Sequence, residues 1–321
     1  MNIDWSGMIL DAPTAETAWH EIFTTLLDLS RSTSSPVALH DATVIPDRLL
    51  TEAAWELWES FPLKAVKTSD RLKSWASKGA QGKAVLIIDA LSLRELPILL
   101  GAAEARGIRP FQVGVTGSEC PSTTDQFARS LGASSRSALA LDKKPGAFAL
   151  FGGDCTTDVV SIPFEDCAVP VSPNLVIWHT WLDDLIHLQE KLPDQVAVNA
   201  CNTLQSDGFW NFIRRLSKGR DLVITSDHGY AVSKRFSTEV EDPEAVDILR
   251  KTFGASRSKA LSEPWPKRFM PPMVMTHNTQ AVVMGQRKWK VQGGFPHICH
   301  GGMSLLEVAV PWVEFKDIQS D

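Results

Sequence analysis

The apolar positions of the chain change rhythm near residue 80. Before it they recur at helical spacing: Ala18, Trp19, Ile22, Phe23, Leu26 and Leu27 follow a Pro13-Thr14 start signal and predict an amphipathic helix. Residues 36–39 read as a short strand, Leu49 to Trp58 as a second helix stopping at Pro62, and residues 69–78 as a third. After the glycines at 79 and 82 the apolar residues come in unbroken runs, at 84–88, 175–178 and 222–224, and residues 111–115 read as another strand. Such runs suit strands covered on both faces. Helical patterns separate them: 91–105, ended by Gly107; 125–131, closed by Gly132; and a long one over 193–217 with a break at Gly208. Alternation of this kind predicts right-handed βαβ units and a largely parallel sheet, so the fold class is α/β, preceded by a mostly helical segment over residues 1–80. Residues 133–173 read as small strands and loops. Residues 234–290 read as a surface excursion or cap on the 81–321 domain, ending in an antiparallel meander (273–275, 281–284, 288–291), and residues 307–313 as a final strand.

Composition narrows the setting. At 321 residues there is ample material for a large core. No apolar stretch reaches the roughly 18 to 20 residues that span a bilayer, and the first residues lack the basic start and apolar centre of a signal peptide. The expectation is a cytoplasmic protein with no membrane partner. Five cysteines without regular spacing argue against a disulfide framework or a Cys-only zinc knuckle. A net charge of -6 gives no global attraction for nucleic acid, so a polyanion site must be local. The tryptophan stripes of the first 80 residues read as core or docking surface.

Candidate chemistry sits where the regular elements stop. The 84–88 run ends at Asp89, and the 222–224 run leads into Asp227, His228 and Gly229. Open α/β sheets bind ligands at that carboxyl end. Asp227 and His228 are adjacent, so both can serve one ion only if the chain leaves strand geometry there, a departure we assign to Gly229. Asp183 and His187 are four apart after the 175–178 strand, which on a helix puts both on one face. His300 precedes Gly301 and Gly302. These six hard or borderline ligands suit zinc, with manganese as second choice. Ser122, Thr123 and Thr124 cluster at a helix start, where hydroxyls either cap the helix or meet phosphate. Basic residues Lys234, Arg235, Lys251, Arg257, Lys259, Lys267, Arg268, Arg287, Lys288 and Lys290, interleaved with Trp265, Phe269 and Trp289, either cradle a polyanion or are solvated loop charge beside the acids at 239–247.

Taken in order, the stretches at 85–95 (VLIIDALSLRE), 121–127 (PSTTDQF), 181–187 (WLDDLIH), 224–230 (ITSDHGY) and 300–313 (HGGMSLLEVAVPWV) resemble the alkaline phosphatase superfamily and, within it, the PglZ family of bacterial, BREX-like phage-defence proteins. The resemblance implies a three-layer αβα domain and two divalent metal ions, one held by Asp89, Asp227 and His228, the other by Asp183, His187 and His300. It places the nucleophile three positions after Pro121, on Thr124, with Thr123 and Ser122 as fallbacks. His179 and His297 are candidates for orienting the ligands from behind. Two positions depart from the family pattern: Ile186 replaces a glycine, which narrows the expected pocket, and Arg94 stands two residues beyond the usual place of an arginine.

The function so implied is a metal-dependent phosphoesterase, a phosphodiesterase or nuclease acting on nucleic acid or oligonucleotides in antiviral defence through a phosphothreonine. The alternatives are a small-molecule phosphatase or phosphomutase, and a non-catalytic scaffold that docks protein partners of a defence complex through its Trp-rich N-terminal helices.

Overall fold

The structure is a computed structural model describing residues 3–33, 35–79, 82–143, 147–189, 192–263, 265, 269–316 and 318. Five helices come first: α1 (Trp5–Leu10), α2 (Ala15–Ser32), α3 (Pro36–Glu52), α4 (Trp55–Lys64) and α5 (Thr68–Ala76). The strand expected at 36–39 is instead the first turn of α3. Ser35 Oγ accepts the Ala38 N–H at 3.2 Å and Pro36 occupies the first turn, where its fixed φ and missing N–H are harmless. Nor does Pro62 stop its helix. Trp58 and Phe61 are fully buried, and their packing outweighs the roughly 3 kcal/mol that an interior proline costs.

The sheet follows, with strands β1 (Gly82–Ile88), β2 (Gln112–Gly117), β3 (Thr156–Val160), β4 (Asn174–His179) and β5 (Arg220–Thr225). Between them lie α6 (Leu96–Glu104), α7 (Thr124–Ser130), α8 (Trp181–Leu188), α9 (Pro193–Gln205) and α10 (Asp207–Ser217). The expected long helix breaks at Ser206 rather than Gly208, because the Ser206 hydroxyl caps α10 by accepting the Phe209 N–H. β1 is central, paired in parallel with β4 on one side and β5 on the other, and β3 is parallel to β4. Alternate residues of β1 enter different cores: Leu86 and Ile88 face one, Val85 and Ile87 the other. β1, β4 and β5 are buried on both faces between helical layers, as their unbroken apolar runs predict, while β2 and β3 at the edges are only partly covered.

Tryptophans of the N-terminal helices point inward. Trp19 lies 5.0 Å from Trp58 and 4.9 Å from Phe61, ring to ring, and these side chains share one core with Leu86, Ile88 and Ile224 of the sheet. Trp19 and Trp58 therefore present no indole face to a partner.

The 234–290 region contains β6 (Thr238–Glu239), α11 (Pro243–Phe253), β7 (Ser258–Ala260), β8 (Val274–His277), β9 (Gln280–Val283) and β10 (Arg287–Lys288). Its antiparallel sheet is ordered β7-β9-β8. The third strand expected at 288–291 is replaced by β10, which pairs in parallel with β6. Trp265, Phe269 and Trp289 belong to a small core of this region. Last come α12 (Leu305–Val308) and β11 (Ala309–Phe315), which inserts antiparallel between β2 and β5. No helix among the described residues is long and apolar enough to cross a membrane.

α3 reaches the end of the chain through Asp47, whose Oδ1 accepts the Leu305 N–H at 3.0 Å and whose Oδ2 accepts the Gln286 amide at 2.9 Å. Burial pushes its carboxyl up to about 7, with Glu307 adding to the rise and the two hydrogen bonds and Arg257 opposing it.

Two outcomes are expected. Trp58→Ala lowers stability by about 3 to 5 kcal/mol, and tryptophan fluorescence and far-UV circular dichroism still report one urea transition; two separated transitions would mean that the N-terminal helices fold on their own. Asp47, protonated more readily folded than unfolded, contributes stability that is fully present below about pH 4 and lost as pH rises through about 7. Asp47→Asn therefore gains on the parent between pH 5 and 8 in denaturant midpoints.

Candidate metal centre

The carboxyl ends of β1, β4 and β5 lie side by side, with Ile88 opposite His179 and Ile87 opposite Thr225. Each end delivers one acid. Asp89 follows β1 directly, Asp183 sits in the first turn of α8 after β4, and Asp227 comes two residues after β5. Because β5 ends at Thr225, Asp227 and His228 lie on irregular chain and both side chains turn to one place. Gly229 has a different role from the one expected. It is needed for close approach, since a Cβ there would lie 2.3 Å from the Leu306 carbonyl oxygen.

Two groups of potential ligands result. Asp89, Asp227 and His228 are all buried and offer ligand atoms within 4.8 Å of one another; Asp183, His187 and His300 do the same on the more open side, where the His187 side chain is 62% exposed. The groups adjoin, because the His228 and His300 rings stack with centroids 4.3 Å apart. His228 Nδ1 donates to the Gly229 carbonyl at 2.9 Å, which turns Nε2 inward. Nε2 lies 3.3 Å from Asp227 Oδ2 and 3.8 Å from Asp89 Oδ1. Asp227 Oδ2, Asp183 Oδ1 and His300 Nδ1 are buried with no hydrogen-bond partner. A pocket lined by unsatisfied acceptors fits divalent cations, and the Asp/His donor set fits zinc or manganese.

Electrostatics agree with that fit. Burial, then repulsion from Asp227 and Asp183, holds the Asp89 carboxyl well above the usual carboxylate range despite Arg136. Burial likewise raises Asp183, against the pull of His228 and His187. Burial works against Asp227 too, but His228, the Ala90 N–H at 3.1 Å and Thr124 together keep it below its ordinary value. To make that backbone bond Ala90 takes φ of 64°, a left-handed conformation that costs a non-glycine residue energy. His300 is pushed down to about 3 by burial and by His228, so its ring is neutral and ready to ligate at neutral pH.

The three candidate hydroxyls separate clearly. Thr124 Oγ1 lies 3.4 Å from Asp89 Oδ1 and 3.3 Å from His228 Nε2. Thr123 is the residue before α7. Ser122 is fully buried, its hydroxyl donating to the Gly302 carbonyl at 2.9 Å and accepting the Gly301 N–H at 3.0 Å, so that oxygen is committed to holding a loop.

Other expectations shift. Ile186 is buried in the main core and does not narrow the site. Arg94 is buried, donating to the Tyr230 carbonyl at 2.6 Å and tying the Asp89 and His228 segments together. His179 accepts the Trp181 N–H on Nδ1 and pairs with the Ile162 carbonyl through Nε2, so it anchors the start of α8 rather than touching a ligand. His297 Nδ1 is buried without a hydrogen-bond partner. Of the basic residues, Arg257 and Arg287 are buried, while Arg235, Lys251 and Lys290 pair with Asp194, Asp247 and Glu239. Lys267 and Arg268 lie outside the described residues. Sequence reasoning missed Arg136 and Trp178. The Arg136 guanidinium, 30% exposed, donates to Asp89 Oδ2, and Trp178 Nε1 donates to the same oxygen at 3.0 Å. Trp178 could have been found from its place near the end of a strand; Arg136 stands in a stretch with no periodic signal.

Residues 166–315 match the family model described as the BREX system PglZ alkaline phosphatase-like domain, so the PglZ likeness read from the sequence holds over that stretch. Five of the six candidate ligands lie within it, while Asp89 and Thr124 precede it. No curated protein matches the chain. Among solved structures, murine ectonucleotide pyrophosphatase/phosphodiesterase 5 is similar with a TM-score of 0.44 and 13% identity, covering 74% of this chain and 88% of that one. Phosphonoacetate hydrolase from Sinorhizobium meliloti 1021, in complex with phosphonoformate, is similar with a TM-score of 0.41 and 11% identity, covering 74% and 90%.

Crowded buried carboxylates imply a measurable trade-off. In chelator-treated protein near pH 8, Asp183→Asn should raise stability by roughly 1 to 2 kcal/mol by removing a poorly satisfied charge, and added zinc should raise the thermal midpoint of the parent more than that of the variant. Thermal unfolding with and without metal checks both; a variant no more stable than the parent would remove the picture of a site strained in wait for cations.

Proposed function

With residues 166–315 matching a PglZ alkaline phosphatase-like domain, we propose that the chain is a metal-dependent phosphoesterase. In this reading it is a phosphodiesterase or nuclease acting on nucleic acid or oligonucleotides in antiviral defence, alongside protein partners of a defence complex. The observation that carries the proposal is Thr124 Oγ1, poised within 3.4 Å of both Asp89 and His228 beside two ligand groups.

Asp89, Asp227 and His228 would hold one divalent cation and Asp183, His187 and His300 a second, zinc or alternatively manganese, and these would supply the positive charge that acidifies a hydroxyl and stabilises phosphoryl oxygens. The chain does the rest. Asp89 accepts the Thr124 hydroxyl hydrogen and so aims an oxygen lone pair into the pocket. Attack by Thr124 on phosphorus forms a phosphothreonine and releases the first alcohol or nucleotide fragment, and water then hydrolyses the phosphothreonine. Arg136, beside Asp89 and partly exposed, is placed to donate to phosphoryl oxygens during both steps. His228, fixed by its bond to Gly229, keeps one ring face and one lone pair constant throughout.

Exposed cations for a polymeric anion are few: Lys259 is exposed on β7, in which the hydroxyl of the preceding Ser258 lies beside Gly301. Among the described residues Lys234 and Lys259 make no ion pair. Burial of Arg257 and Arg287 favours the second reading, a small phosphomonoester, because it removes two cations from the surface that a long strand would follow.

Hydrolysis of bis(4-nitrophenyl) phosphate and of 4-nitrophenyl phosphate by the zinc- or manganese-loaded chain separates the readings. Faster diester cleavage, lost by about a thousandfold or more in Thr124→Ala, is expected. Faster monoester cleavage would favour the small-molecule phosphatase, and defence left intact by Thr124→Ala would favour the scaffold.

A further inference from the structure

His300 is delivered by a loop that has almost no freedom. Gly301 has φ of 95°, and a Cβ at Gly302 would lie 2.3 Å from Arg257 Nε. On one side Ser122 bonds both glycines, so the loop is joined to the segment that carries Thr124 two residues later. On the other side Glu307 accepts the Gly302 N–H at 3.0 Å, the Ser304 N–H at 3.1 Å and the Ser304 hydroxyl at 2.5 Å.

Arg257 completes this second side from far along the chain. Its Nε lies 2.9 Å and 3.1 Å from the two Glu307 oxygens, its Nη1 donates to the Arg287 carbonyl at 3.0 Å, and its Nη2 donates to the Gly285 carbonyl at 2.6 Å. The pair is sealed from water, with side-chain exposures of 2% and 0%. The Arg257 carbonyl also accepts the Val283 N–H, while Met303 exchanges backbone bonds with Val283 and Gly285. One guanidinium thus fastens the His300 loop to the small sheet of the 234–290 region.

We propose that Arg257 is a positioning residue for His300: through Glu307 it sets where the Asp183/His187/His300 group closes on its cation, while Ser122 on the opposite side of the loop ties that group to the segment of Thr124. The 234–290 region is then a supporting wall of the second cation site. This inference rests on the metal reading above. A lysine at 257 keeps the charge but lacks the planar fork that spans Glu307 and two carbonyls at once. The Asp89/Asp227/His228 group makes no hydrogen bond to Arg257 among the described residues, and should keep its affinity.

The test is equilibrium titration of the purified, metal-stripped full chain with Co²⁺ alone, followed by visible absorption and by bound metal per chain, for the parent, Arg257→Lys and His300→Ala. The parent is expected to bind two ions, and Arg257→Lys to bind one normally and the other about 10- to 100-fold more weakly, losing the same absorption component that His300→Ala loses. Parent-like binding of both ions by Arg257→Lys, or equal weakening of both, would overturn the proposal while leaving the metal reading in place. A parent that binds no cobalt would overturn both. If Arg257→Lys does not fold, Ser122→Ala, which removes one hydroxyl from the opposite side of the loop, carries the test with the same two results.

Discussion

Three carboxylates brought to the ends of three adjacent strands dominate this molecule. Asp89 and Asp227 are fully buried and Asp183 nearly so. At an effective dielectric of about 20, two like charges some 4 Å apart repel by about 4 kcal/mol, more than a typical hydrogen bond returns. The surroundings read as answers to that repulsion. Asp227 draws on the Ala90 N–H at the expense of a left-handed backbone, Asp89 on Trp178 and Arg136, and Asp183 on its histidine neighbours. These answers are partial, since Asp227 and Asp183 each keep an oxygen without a donor. Such a ligand set fits divalent cations.

The scaffold sets the cluster with little help from flexible chain. Asp89 and Asp227 follow strands whose register is fixed by parallel pairing along their length, and Asp183 sits on a helix whose start is anchored by His179. Asp227 and His228 come from the irregular turn just after β5, tied by bonds to Ala90 and Glu307, and His300 from a loop bonded on both sides. A site built this way holds its spacing without a large movement, which suits chemistry on a small tetrahedral group.

Much of this was legible beforehand, for a physical reason. A strand buried on both faces must be apolar throughout, so the first charged residue after such a run marks where the strand stops; Asp89 and Asp227 stood out for that reason. The four-residue spacing of Asp183 and His187 is likewise a geometric statement. Arg257 and Arg287 looked like surface charge because a buried arginine is recognised only by its partners, here Glu307 and carbonyls distant in sequence. Arg136 lay in a stretch without period. Ser35-Pro36 was misjudged because four apolar-leaning residues carry no period, whereas the capping pair beside them did carry a signal. The role of Gly229 depends on the Leu306 carbonyl, which no local pattern can reveal.

The place of β11 has a consequence for how the molecule is made. Among the described residues it is the last strand, yet it lies between β2 and β5, and β2 has no other strand beside it in the sheet. A chain emerging from the ribosome therefore holds β2 apart from β5 until residues 309–315 appear. The loop that carries His300 and the short helix α12 that carries Glu307 lie just before β11. Sheet and candidate ligand groups are therefore completed by neighbouring stretches of chain: until residues 300–315 appear, β2 and β5 lack the strand between them and the Asp183/His187/His300 group lacks its third residue.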